Sequence, residues 1–202
     1  MRRGTCVAAL ACAWAAGFGA AATAPEPISS NPSLSVIARA PQFTLLDTQG
    51  RAVRLSDYRG QVVLLAFIFT TCPGVCPLIS TQMSALQTAL KADGLFPGKA
   101  RLISVTVDPK TDTAQVLSEY ARTFRADLVG WTFLREEPDR LKPVLKAYDE
   151  WTRVLPKTKG WLDHPARVYL VDQKGNIREI YSLAFFSEKQ ALIDMRVLLA
   201  EK

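Results

Sequence analysis

A chain of 202 residues, 49% hydrophobic and 22% charged, carries enough apolar side chains for one well-packed domain and too few residues for two of ordinary size. Its net charge of +6 is dispersed among 19 acidic residues with no basic block, which argues against nucleic-acid binding. The four cysteines and the single histidine are the residues to place first.

Residues 1–22 read as a targeting segment. Arg2 and Arg3 precede an apolar run from Cys6 to Phe18 that ends in Gly19, Ala20, Ala21 and Ala22, so a signal-peptide cut after Ala22 fits the small-residue rule. Cleavage there removes Cys6 and Cys12 and lowers the net charge from +6 to +4. An uncleaved anchor is the rival reading, because Thr5 to Ala24 matches the roughly 20 residues of a membrane span. Cys12 after Ala9-Leu10-Ala11 offers a third, a lipoprotein acylation site. Each predicts an exported domain. Residues 23–40, with Pro25, Pro27 and Pro32 and no apolar periodicity, read as a tether, and residues 41–202 as the folded domain.

The domain opens on a β-hairpin, with Phe43–Leu46 and Ala52–Leu55 flanking Asp47-Thr48-Gln49-Gly50. Gln61 to Phe69 is continuously apolar, the pattern of a strand buried on both faces in a partly parallel sheet. Ile79, Met83, Leu86 and Leu90 then recur at helical spacing before Gly94. Ala100–Val107 reads as a second buried strand, followed by a helix over Thr113–Phe124 with Asp112 as N-cap. A short strand over Trp131–Leu134 leads to a helix that Pro138 starts and Pro143 should kink, running through Tyr148. Residues 149–162 read as a loop. Ala166–Val171 and Ile177–Leu183 flank a hairpin turn, and Ser187 with Gln190 suggests a capping box for a last helix that buries Leu192, Met195 and Leu199. Together these predict an α/β fold with a central mixed sheet between helices.

The chemistry concentrates in Thr71-Cys72-Pro73-Gly74-Val75-Cys76-Pro77, where a buried strand hands over to a helix. Ligands favour that edge of an open α/β sheet. A helix N-terminus also favours thiolate, which is both the sulfur nucleophile and the metal ligand. The four-residue spacing separates this pair from the Cys-x-x-Cys redox motif. Were residues 72–76 helical, the two sulfurs would lie on one face about one turn apart, where one metal ion could bridge them. A disulfide closing so small a loop would restrain the unfolded chain little. His164 precedes the strand at 166–171, which in a thioredoxin-like sheet neighbours the strand leading to the cysteines. Two sulfurs and an imidazole suit copper, as Cu(I) or Cu(II), and suit zinc as well.

Three segments in order resemble the Sco/SenC family: Phe69-Thr-Thr-Cys72-Pro-Gly-Val-Cys76-Pro77, Val107-Asp108-Pro109-Lys110-Thr111-Asp112-Thr113, and Asp163-His164 eight residues before Asp172. The resemblance spans about residues 41–202 and would place the exported domain in the periplasm, or anchored facing it. It implies a thioredoxin-like fold, copper bound by Cys72, Cys76 and His164, and a metallochaperone that assists assembly of the copper centre of cytochrome c oxidase, whose copper-bearing subunit would be the partner. Asp108, Asp112 and Asp163 match motif positions and read as capping and loop hydrogen-bond residues. One departure is Pro165, where the family carries a small hydroxyl residue; proline directs His164 toward extended backbone or a cis bond. The alternative function is a thiol-disulfide oxidoreductase, in which Cys72 attacks a target disulfide and Cys76 resolves the intermediate, with His164 dispensable. A peroxidase reading fits the paired cysteines poorly.

Overall fold

The computed structural model describes residues 28–30, 32–156, 158, 162–182 and 186–201. The predicted targeting segment at 1–22 lies outside them, and among the described residues no helix is long and apolar enough to cross a membrane.

The chain order is β1 (Ala38–Arg39), β2 (Thr44–Asp47), β3 (Ala52–Arg54), β4 (Val62–Ile68), α1 (Val75–Ala92), β5 (Ala100–Thr106), α2 (Ala114–Thr123), β6 (Trp131–Arg135), α3 (Pro138–Ala147), β7 (Arg153–Val154), β8 (Leu162–Asp163), β9 (Val168–Val171), β10 (Asn176–Tyr181) and α4 (Glu188–Ala200). Eight strands form one mixed sheet in the order β1-β10-β9-β4-β5-β6-β2-β3. β4, β5 and β6 run parallel, while β9 lies antiparallel to β4 with Ala66 opposite Val168.

All seven residues of β4 are buried, as their unbroken apolar run requires of a strand covered on both faces. α1 is tied to α2 by the Ser80 and Tyr120 hydroxyls at 2.9 Å and by Ser84, whose hydroxyl donates to the Phe124 carbonyl at 2.8 Å. Phe67 of β4 meets Tyr148, just past α3, at 5.3 Å and Tyr169 of β9 edge-on at 5.9 Å. Trp131 stacks on Phe133 at 5.2 Å and gives its indole N–H to the Ser104 hydroxyl at 3.0 Å, so the polar atom it carries into the core is satisfied.

Several local expectations change in three dimensions. The N-cap of α2 is Thr113, whose hydroxyl accepts from the Val116 N–H, and not Asp112, which is drawn inward. Ser187 precedes α4 without a side-chain cap, because Gln190 is engaged with Asp194 and the Ser29 backbone instead. The buried face of α4 is Ala191, Asp194, Met195 and Leu198, with Leu192 and Leu199 only partly covered. Asp194 enters that face because the Tyr181 hydroxyl donates to it. Residues 149–162 are not all loop: β7 and β8 pair into a two-stranded ribbon just before His164. Within residues 23–40, β1 pairs with β10, and Leu34 and Ala40 are buried.

Candidate metal centre

Both cysteines sit where β4 gives way to α1. The helix begins at Val75 with Gly74 as N-cap, so residues 72–74 are not helical and the sulfurs are not one helical turn apart on a face. The loop instead folds Cys72 back over the helix end, where its sulfur accepts the Cys76 N–H at 3.4 Å. That sulfur satisfies an orphan amide donor in the manner of a capping oxygen. The two thiols are free, Cys72 half-buried and Cys76 fully buried.

This placement splits their acidities. The Cys76 thiol hydrogen-bonds to the Cys72 sulfur, and with the Cys76, Gly74 and Val75 amides it overcomes partial burial and holds Cys72 down at about 5. The same hydrogen bond, followed by burial, pushes Cys76 well above the ordinary thiol range. One thiolate and one thiol therefore face each other at neutral pH. Because thiolate is the species that alkylates, the Cys72 reaction with iodoacetamide in the reduced chain is expected to be on its plateau at pH 7 and to halve near pH 5. A rate still climbing above pH 8, as for an ordinary thiol of about 8.5, would contradict the assignment.

The loop stands on a buried carboxylate. Asp112 is fully buried and accepts from the Thr70 amide at 3.2 Å, the Thr70 hydroxyl and the Thr106 hydroxyl. Burial raises its carboxyl above the usual range, with the two threonines opposing that shift. Arg135 of β6 fixes the segment from outside, donating to the Asp112 carbonyl at 3.2 Å and the Pro109 carbonyl at 3.1 Å. Asp108 keeps a local role, its amide donating to the Thr106 hydroxyl at 2.9 Å, and Asp163 pairs with Arg153 across the ribbon.

His164 enters from the antiparallel neighbour. Because β9 pairs with β4, the residue before β9 comes beside the residues after β4, and the Nε2 of His164 lies 3.7 Å from the Cys76 sulfur, 88 positions away in sequence. The His164–Pro165 bond is trans, and Ala166 follows it at a φ of 51°, in the left-handed region. Phe69 meets the imidazole edge-on at 5.5 Å, and the His164 side chain is only 4% exposed. Its Nδ1 is 3.3 Å from Glu150, a buried acid that no motif or periodicity marked in the sequence.

The donor chemistry fits a soft metal ion. A metal held by one sulfur at about 2.3 Å and one imidazole nitrogen at about 2.0 Å keeps those atoms roughly 3.5–3.8 Å apart, which brackets the Cys76–His164 separation of 3.7 Å. Among the described residues no three Cys, His, Asp or Glu side chains already surround one point, since the Cys72 sulfur is engaged at the helix end.

Known proteins carry the same arrangement of chain. The SCO1/SenC family model matches residues 34–199. The mitochondrial protein SCO2 homolog of Bos taurus is 33% identical over 150 residues, covering 73% of this chain and 55% of the relative, so the chain spans little more than half of that protein. Among solved structures, copper-bound ScoI of Bradyrhizobium japonicum is 27% identical with a TM-score of 0.68, covering 80% of this chain and 100% of its own. BsSco, described as having a disulfide switch and as a member of the Sco family of cytochrome c oxidase assembly proteins, is 26% identical with a TM-score of 0.68, covering 83% of this chain and 97% of its own. The fold is that of the thioredoxin-like Sco structures. The chain belongs to the SCO1/SenC family.

Proposed function

We propose that this chain is an exported copper metallochaperone that assists assembly of the copper centre of cytochrome c oxidase, holding copper through Cys72, Cys76 and His164. The observation that carries the reading is the approach of the sole histidine to the Cys76 sulfur at 3.7 Å, beside a Cys72 thiolate. The copper-bound relative and the oxidase-assembly relative support the metal and the purpose. Soft sulfur donors favour Cu(I), and the imidazole extends the set toward Cu(II).

The chain's own groups then divide the work. Cys72 offers a thiolate at no proton cost, and Cys76 gives up its proton as cargo is taken. Phe69 shields the imidazole from water. Cys72 is the more exposed sulfur, the side from which a partner's ligands reach the cargo by exchange. Residues 1–22, cleaved or retained as an anchor, deliver the domain to the periplasmic face, and the residues between them and Leu34, where the buried part of the domain begins, serve as the tether.

Copper retention tests this. The reduced chain, given one equivalent of Cu(I) and challenged with a chromogenic chelator, is expected to keep its metal, and His164→Ala to weaken retention at least about tenfold. Failure of the unmodified chain to compete overturns the proposal. The thiol-disulfide alternative draws on the same Cys72 thiolate but gives His164 no part, so disulfide reduction that survives His164→Ala alongside unaltered copper retention would favour it instead.

A further inference from the structure

The imidazole of His164 has two neighbours at Nδ1 that make opposite demands. The Ala166 amide, 3.2 Å away, can donate only to a bare Nδ1, whereas the Glu150 Oε2, 3.3 Å away, accepts only from an Nδ1–H. A neutral imidazole holds one proton, so the neighbour that prevails sets what Nε2 presents to the Cys76 sulfur. With the proton on Nδ1, the Nε2 lone pair faces the sulfur and is free for a metal. With the proton on Nε2, that atom donates to the sulfur and has nothing to offer a metal.

Glu150 has the stronger demand. Its side chain is completely buried, and its other oxygen accepts the Arg167 amide at 3.2 Å. The nearby Arg167 guanidinium is engaged elsewhere, donating to the Asp149 carbonyl and carboxylate at 2.8 Å and to the Tyr169 hydroxyl. A buried carboxylate with a single amide donor lacks much of the hydrogen bonding it had in water, and an Nδ1–H is the remaining donor within reach. Hydrogen bonds to a charged acceptor are also roughly twice as strong as those between neutral groups, which outweighs the Ala166 amide.

We propose that Glu150 is a positioning residue that holds His164 as its Nδ1–H tautomer and thereby presents the Nε2 lone pair to the cysteine pair, for a soft metal ion to accept. This rests on the reading of His164 as a ligand and deepens it. The arrangement is that of a carboxylate oriented behind a metal-binding histidine, a type of partner whose loss costs about 10–100-fold in affinity. It also accounts for a buried acid in a segment whose sequence reads as loop.

The single histidine makes the tautomer directly observable. In the full chain, nitrogen-15 labelled, reduced and metal-free at about pH 8, above the ordinary imidazole range, one pair of ring nitrogens reports which atom carries the proton. The expected result is a predominantly Nδ1–H ring in the unmodified protein, shifted at least tenfold toward Nε2–H by Glu150→Gln, whose amide can donate to Nδ1. Copper retention in that variant should fall about 10–100-fold. A predominantly Nε2–H ring in the unmodified protein overturns the proposal without any variant being needed, as does a tautomer ratio that Glu150→Gln leaves unchanged. If the unmodified chain cannot hold copper, the ligand reading fails, while the nitrogen signals still decide whether Glu150 sets the tautomer.

Discussion

Replacing Cys72 with serine is expected to lower Cu(I) retention by more than about a hundredfold, beyond what the loss of a supporting residue costs. The alcohol removes a soft donor that is already ionised near neutrality, with its acidity at about 5, and puts a hard, protonated oxygen in its place. Cys76 and His164 then remain as one sulfur and one imidazole, a set that lacks the second soft donor. The pH dependence has a definite sign. Of the two site thiols only Cys76 has a proton to release at neutral pH, so retention should weaken about tenfold per unit as pH falls from 8 to 6 and approach about a hundredfold per unit once Cys72 also takes up a proton near pH 5. Titration against a chromogenic Cu(I) chelator at several pH values reads both effects. Retention in Cys72→Ser within tenfold of the unmodified chain would remove Cys72 from the ligand set.

The second large effect is expected at Asp112→Ala, as a loss of about 2–4 kcal/mol of stability. The substitution leaves the Thr70 amide and the hydroxyls of Thr70 and Thr106 without their common acceptor, and a buried donor left unsatisfied costs about 1–3 kcal/mol. Relief of the burial penalty that raises the Asp112 carboxyl offsets part of the sum. For a domain of this size the loss corresponds to a melting point lower by roughly 5–15 °C. A carboxyl whose folded value is raised contributes more to stability as pH falls through that value toward the unfolded one, so the deficit should grow on acidification from neutrality. Thermal melts of the reduced chain at pH 7 and pH 5 check both the size and the slope. A melting point within 2 °C of the unmodified chain would mean that the loop does not depend on this carboxylate.

What could be read from the sequence followed the range over which each signal acts. The unbroken apolar run before the cysteines marks β4, and the spacing of Ile79, Met83, Leu86 and Leu90 marks α1; all four of those side chains are buried. The hairpin of β2 and β3 was legible from its turn, and the position of His164 beside the cysteines followed once β9 was taken as the neighbour of β4. Features fixed by distant partners were not legible. Asp112 resembles a helix cap locally, yet Thr70, 42 positions earlier, draws it inward and leaves capping to Thr113. The ribbon of β7 and β8 has two residues per strand, too few for any periodicity to register. Glu150 follows Asp149 in a polar stretch and looks solvated; only the closure of the chain over His164 reveals that it is buried.

The pairing of β4 with β9 also links occupancy to endurance. Cys76 and His164, 88 residues apart, meet only when that pairing is intact, so the unfolded chain keeps the two cysteines but lacks the imidazole beside them. A ligand that binds only the folded form adds about 2.7 kcal/mol to its stability at a hundred times its dissociation constant. Under the proposed function, a chain carrying copper would therefore resist unfolding and proteolysis to the extent that the folded site out-binds the unfolded cysteines, and each delivery would return it to its more fragile form.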